Sequence, residues 1–188
     1  KKIESSSTST STSTVEQPEK DGGVENSTTL PDVIETKLDE TISDTDAGYT
    51  IKINRILKGV PFNSDQVEKM NNAGGATGYF VEISVDNSSP FNFDVISNYF
   101  ALLPEGNEYD NDNNADWFTE YAQKNNLDLF EYLDKIKTGT KQTIWLSFVV
   151  YSEDDGKDLS LVYTRNGIKK SDGSSIPEKT IKVKILEN

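Results

Sequence analysis

From Ala47 to the end of the chain, apolar and polar residues alternate with a period of two in seven short runs. Tyr49, Ile51 and Ile53 alternate with Thr50, Lys52 and Asn54, and Tyr79, Val81, Ile83 and Val85 with Phe80, Glu82, Ser84 and Asp86. Phe91, Phe93 and Val95 follow, then the YFALL run ending at Pro104. Ile144, Leu146, Phe148 and Val150, then Leu159, Leu161 and Tyr163, then Ile181, Val183 and Ile185 complete the set. A strand sends successive side chains to opposite faces, so each run predicts a half-buried strand. The turn-rich stretches DNSSP, PEGNE, EDDGKD and SDGSS separate them. Seven such strands predict an all-β fold, an immunoglobulin-like antiparallel β-sandwich. The cysteine pair and intervening core Trp of antibody domains are missing, which excludes that branch.

One segment breaks the period. Trp117, Phe118 and Tyr121 have helical spacing, and Leu129, Tyr132, Leu133 and Ile136 follow at i, i+3, i+4 and i+7. Asp128 and Glu131 are spaced as an acidic capping box, with Leu127 placed to staple Tyr132. Lys135 and Lys137 suit the last turn of a helix and Gly139 a left-handed stop. The pattern predicts a short helical insertion, one helix or two, over about residues 114–138.

The first 46 residues differ in kind. ESSSTSTSTSTVEQPEKDGGVENSTT is acidic, rich in Ser and Thr, and nearly empty of large apolar residues. Such a segment cannot bury enough surface to offset the entropy of ordering, and it is expected to be a disordered tether. Val33, Ile34, Leu38 and Ile42 are expected to form a loosely attached lead-in strand. The expected division is therefore a tail over 1–46 and a sandwich over 47–188.

Composition then removes whole classes of function. The chain has 188 residues with no Cys and no His, so it can build neither a thiol nucleophile nor a Ser-His-Asp triad. Its net charge is −13, of which −7 lies in residues 1–46 and −6 in the body. Phosphate backbones would be repelled, so no nucleic-acid partner is expected. No apolar run approaches the length of a membrane span.

With these elements in place, GYFVEISVDNSSPFNFDVISNYFALLPEGNEYD resembles the central stretch of a family. It is the telokin-like, immunoglobulin-fold domain of unknown function found in extracellular lipoproteins of Gram-positive bacteria. Gly78, Val81, Ile83, Val85, Asn87, Phe100, Leu102, Gly106 and Tyr109 fill the family's positions. TGTKQTIWLSFVVYSEDDGKDLSLVYT resembles its glycine-led strand and the strand after it, so the likeness covers roughly residues 45–187. The resemblance implies a cell-surface lipoprotein, acylated on a cysteine upstream of Lys1, whose only membrane contact is that lipid anchor.

Two candidate sites fall at the start of the insertion and just before it. Asp110, Asp112 and Asn114 occupy the first, third and fifth positions of a calcium loop, but Ala115 stands where the turn needs Gly and Tyr121 where the bidentate carboxylate belongs. That excludes an EF-hand and leaves an irregular calcium site built from Asp110, Asp112, Asp116 and Glu120, or else an acidic cap on a helix. The second candidate is a partner-binding surface made of Trp117, Phe118 and Tyr121; aromatics at helical spacing are more often buried against their own domain. EDDGKD is expected to be a hairpin turn with Gly156 at positive φ, and NAGGATG a flexible loop with no phosphate-binding role. The functional expectation is a non-catalytic, surface-anchored binding module for a protein, cell-wall or host-surface ligand. Its alternatives are a calcium-dependent structural or adhesion module and, further off, an acid-pair hydrolase.

Overall fold

The computed structural model describes residues 32–94, 98–107, 111–131 and 134–186. Most of the expected tail, and Asp110, Val95, Tyr132 and Leu133, lie outside them. In chain order the elements are β1 (Ile34–Asp44), β2 (Tyr49–Lys58), α1 (Ser64–Asn72), β3 (Ala76–Asn87), β4 (Phe93–Asp94) and β5 (Asn98–Pro104). After these come β6 (Asn111–Asp112), α2 (Thr119–Asn125), β7 (Lys135–Ile136) and β8 (Thr140–Tyr151). The chain closes with β9 (Leu159–Arg165), β10 (Ile168–Lys169), β11 (Ser175–Ile176) and β12 (Lys179–Leu186).

The strands form two four-stranded sheets, ordered β1-β2-β3-β8 and β12-β9-β5-β6, with every ladder antiparallel. Setting β1 and β6 aside, the first sheet has the order of strands A-B-E of an immunoglobulin domain and the second the order G-F-C. The place of strand D, beside E, is taken by the insertion. Trp145 of β8 donates to Asp128 O at 2.8 Å and accepts from Phe130 N at 2.8 Å, in a parallel bridge centred on Leu129.

The alternation read from the sequence sets the faces. Tyr49, Ile51, Ile53, Tyr79, Val81, Ile83, Ile144, Leu146, Phe148, Leu161 and Tyr163 all point into the space between the sheets and are buried there. Full burial of one such side chain is worth about 1.5–3 kcal/mol before entropy is subtracted. A second apolar cluster lies on the outer face of the first sheet. Phe80, Trp145 and Val149, each out of phase with the central core, pack there with Leu57, Val60, Met70, Phe118, Ala122 and Leu129. The two helices and the extended stretch after α2 thus make a third layer over half of one sheet.

Four expectations change. The lead-in segment is a full edge strand: β1 pairs with β2 from Ile34↔Lys58 to Asp44↔Tyr49, with a bulge between Lys37 and Glu40. The folded body therefore reaches back to Ile34; the charged residues Glu35, Lys37, Asp39 and Glu40 on this exposed strand suit a sheet edge, which such charges guard against pairing with another chain.

The insertion is also less helical than its spacing predicts. Residues 115–117 make one 3-10 turn, α2 stops at Asn126 in the left-handed region (φ 53°), and Leu129 and Phe130 are extended. The open backbone groups of the β8 edge outweigh helix propensity here, because pairing satisfies both strands. Asp128, expected in a capping box, accepts from Gln142 Nε2 instead. Gly139 does adopt positive φ, but in the turn that opens β8.

The other two changes are smaller. NAGGATG is a loop only at its centre, since Asn72 ends α1, a helix with no signal in the pattern, and Ala76, Thr77 and Gly78 open β3. Finally, the EDDGKD turn, with Gly156 at φ 83°, is no hairpin, since β8 and β9 belong to different sheets and the turn crosses the sandwich.

Candidate functional site

The insertion is built around Asn63, the buried residue preceding α1. Its amide nitrogen donates to Asp116 O (2.8 Å) and Thr119 Oγ1 (2.9 Å), and its side-chain oxygen accepts from Glu120 N (2.9 Å). Glu120 in turn accepts from Ser64 N (3.2 Å) and Ser64 Oγ (2.8 Å) at the start of α1. Each helix thereby receives its N-terminal cap from the other, which satisfies backbone donors that a short helix leaves open.

This arrangement locates the expected calcium ligands. Glu120 is hydrogen-bonded to Ser64, the Asp116 side chain is exposed, Asp112 lies in β6, and Asp110 is outside the described residues. Among the described residues no group of three or more acidic side chains converges as a metal would require. Asn113 accepts from Ser147 N (2.8 Å) and donates to Phe130 O (2.8 Å), closing the β8 edge.

The aromatic candidates separate into two kinds. Phe118 is fully buried, with its ring 5.3 Å edge-on from Phe80 and 5.0 Å from Phe62, so it packs the third layer and cannot meet a partner. Trp117 and Tyr121 are half-buried at the margin of the same cluster, Tyr121 with its ring 5.7 Å from Phe80. Of the EDDGKD carboxylates, Asp154 is likewise engaged, meeting Lys157 at 2.6 Å and accepting from Asn107 Nδ2 at 2.7 Å.

A buried polar cluster sits at the opposite end of β1. Arg165 Nε reaches Asp44 Oδ2 at 2.5 Å, both side chains being fully enclosed, and Lys179 stands 3.5 Å from the other carboxylate oxygen. The Tyr163 hydroxyl lies 3.1 Å from Asp44 Oδ2 and 2.9 Å from the Asn98 side-chain oxygen. One phenolic proton serves only one acceptor, and the carboxylate is the stronger. Turning the Asn98 amide over puts its NH2 on the phenol oxygen and gives the otherwise orphaned Asn98 nitrogen a partner. Burial alone would push the Asp44 carboxyl up; Arg165, then Tyr163 and Lys179, outweigh it and hold it below its ordinary value. Burial first, and then the Asp44 charge, push the Tyr163 phenol far up, so it stays neutral. The cluster is structural: Arg165 Nη1 also donates to Pro177 O (2.8 Å) and Asn166 O (3.1 Å), fixing the loop between β9 and β12.

That loop frames a sizeable cleft. The turn between β1 and β2 contributes Asp46 and Ala47, the loop after β3 Pro90 and Phe91, and the β10–β11 hairpin Lys170, Ser171, Asp172 and Ile176, around about 410 Å³. Ligand pockets commonly span roughly 300–1,000 Å³, and the hollow between Asp128, Phe130 and Gln142 holds only about 60 Å³. Direct bonds join the first two segments, Ser88 N to Gly48 O (3.1 Å) and Tyr49 Oη to Asn92 O (3.2 Å), and Lys179 Nζ, at the start of β12, reaches Asp46 (2.9 Å). In immunoglobulin terms these are the B–C and F–G loops, which share one end of a sandwich. Sequence reasoning registered DNSSP and SDGSS as turns only; that they meet follows from strand order, which no local signal carries.

No family model matches the chain, and no curated protein matches it. Two solved structures are similar in fold. A conserved hypothetical protein from Bacillus anthracis, 12% identical, superposes with a TM-score of 0.50 over 70% of this chain and 91% of its own. A functionally unknown protein from Listeria monocytogenes EGD-e, also 12% identical, gives 0.51 over 82% and 88%. At that identity the likeness is one of fold alone.

Proposed function

We propose that this chain is a non-catalytic binding module of the telokin-like kind, displayed on the outside of a Gram-positive cell and held there by a lipid anchor upstream of Lys1. The observation that carries the binding reading is the loop-end cleft. Three turns converge on an apolar floor of Ala47, Pro90, Phe91 and Ile176. Its two acids are already engaged, Asp46 by Lys179 and Asp172 by Ser174 N and Oγ. Neither is arranged as a proton donor facing a base, which supports contact over turnover. Trp117 and Tyr121 offer a second, smaller contact region; Phe118 does not.

The test is retention of the purified chain on Gram-positive cell walls and on immobilised host matrix proteins, alongside a screen for release of sugars or peptides from polysaccharide and peptidoglycan. Saturable retention without product release is expected. Release of product overturns the reading, and so does an absence of retention on every surface. Location is tested separately, by labelled-palmitate incorporation into the natural full-length product.

A further inference from the structure

We propose that the folded chain cross-links itself: the Lys157 amine displaces ammonia from the Asn107 side-chain carboxamide, with the Asp154 carboxylate moving the protons. The reaction does not depend on what the module binds. Three side chains meet in a closed triangle. Lys157 Nζ donates to Asp154 Oδ1 at 2.6 Å and to Asn107 Oδ1 at 3.0 Å, and Asn107 Nδ2 donates to Asp154 Oδ2 at 2.7 Å. The neighbours set the orientation of the amide, since an ammonium only donates and an ionised carboxylate only accepts. One carboxylate therefore touches both the nitrogen that attacks and the nitrogen that leaves.

Backbone bonds hold the three residues in place. Asn107 N donates to Pro104 O at 3.2 Å just after β5, and Glu105 N donates to Asp158 O at 2.8 Å. Lys157 N donates to Asp154 O at 3.2 Å, and Gly156, at φ 83°, turns the chain back so that Lys157 falls beside Asp154. The Asp154 side chain is 10% exposed and that of Lys157 38%, so the carboxylate lies deeper than the amine.

The resting pair is ionised. Lys157, against the opposing pull of burial and with help from Asn107, holds the Asp154 carboxyl below its ordinary value. The ammonium first gives one proton to Asp154 Oδ1, and the freed amine adds to Asn107 Cγ. The new bond's nitrogen then passes a second proton, through the carboxyl, to Nδ2. As the Cγ–Nδ2 bond breaks, ammonia leaves and takes up the proton left on the carboxyl. A secondary amide, a carboxylate and an ammonium ion remain, with no oxidant or co-reactant consumed. Holding amine and carboxamide in contact supplies an effective concentration of up to about 10⁵–10⁸ M, and a placed proton carrier about a further 10²–10⁴-fold. The bond forms once per molecule, so even a slow reaction suffices.

The product joins side chains 50 residues apart, tying the turn after β5 to the crossing between β8 and β9. Like a disulfide, such a link restricts the unfolded chain more than the folded one.

The experiment measures the intact mass of the purified full chain, denatured after prolonged warming in its folded state, and then maps its proteolytic peptides. A mass lower by one ammonia is expected, with a branched peptide joining Asn107 to Lys157. Lys157→Arg keeps the ion pair but has no amine to acylate, and Asp154→Ala has no proton carrier; both are expected to keep the full mass. Lys157→Arg should melt about 10 °C below the linked parent, with an unchanged circular dichroism spectrum. A parent that keeps its full mass overturns the proposal. So does an ammonia loss that persists in Lys157→Arg, because it then arises at another amide. Linkage at an undiminished rate in Asp154→Ala overturns it as well, since the carboxylate would then be a structural partner alone.

Discussion

Asn63 and Glu120 each place an acceptor on the first turn of the other's helix. The Asn63 side-chain oxygen takes Glu120 N–H at 2.9 Å, and the Glu120 carboxylate takes Ser64 N–H at 3.2 Å. Neither α1 nor α2 is capped by the side chain of its own preceding residue, so the exchange is what terminates both. A nine-residue and a seven-residue helix are too short to persist alone in water. Their docking on Phe80 and Trp145, and this mutual cap, keep the third layer in place.

Asn63→Ala removes three side-chain hydrogen bonds and leaves Asp116 O and Glu120 N–H without partners. A loss of about 2 kcal/mol is expected, read as a lowered urea midpoint with unchanged slope. Glu120→Gln, exposed and still able to accept, is expected to lose less than about 1 kcal/mol. Equal stability of Asn63→Ala and the parent would mean that the helices are held by packing alone.

Gly78 lies where the third layer meets β3. A Cβ there would stand 2.2 Å from Val60 O and 2.6 Å from Phe118 Cε1, and Val60 O belongs to backbone that cannot turn aside. Gly78→Ala is therefore expected to destabilise by roughly 3 kcal/mol. Gly74→Ala is the control: nothing lies within 4 Å, but φ is +90°, so a loss of about 1 kcal/mol is expected from backbone strain alone. Thermal melts of the two variants separate steric exclusion from conformational strain.

These positions also show what a sequence carries. Period-two alternation identified the inward faces of β2, β3, β8 and β9 because burial between two sheets acts on every second residue. The same strands carried the sign of the third layer, in Phe80, Trp145 and Val149 standing on what should be the wet face. Apolar residues on both faces of a strand mean a cover on each side. The first half of the insertion is helical as expected, in α2, but the half after it misled because its i, i+4 spacing met an unpaired β8 edge, and edge pairing is a tertiary demand invisible to local pattern. Glu120 looked like a ligand because its partner Ser64 is far away in sequence and close only in the fold. The cleft was hidden for the same reason, being assembled from three separate turns.

Calcium provides the next test. With Glu120 held by Ser64 and Asp116 facing solvent, binding through the four expected acids would require the α1 cap to be given up. Millimolar calcium is expected to leave the melting temperature where EGTA leaves it. A calcium-dependent rise, lost in Glu120→Gln, would show that the cap and the ion compete for one carboxylate.

The buried Asp44–Arg165 pair makes stability depend on pH in the acid range. The Asp44 carboxyl is held below 3.8 in the folded state, so the pair's contribution is complete above that ordinary value and is lost as pH falls through the depressed one. Asp44→Asn leaves the Arg165 guanidinium enclosed without its counter-charge and is expected to destabilise by about 3–5 kcal/mol at neutral pH. Because the parent loses the same charge in acid, the gap between parent and variant should narrow as pH falls below 3.8. Replacing both partners, Asp44→Leu with Arg165→Met, removes the charge that was left stranded and is expected to recover most of the single-variant loss, though not the hold of Arg165 on Pro177. Urea denaturation across pH measures all three chains. A gap that stays constant down to about pH 2 would assign the loss to packing, because only the ionised pair disappears in acid.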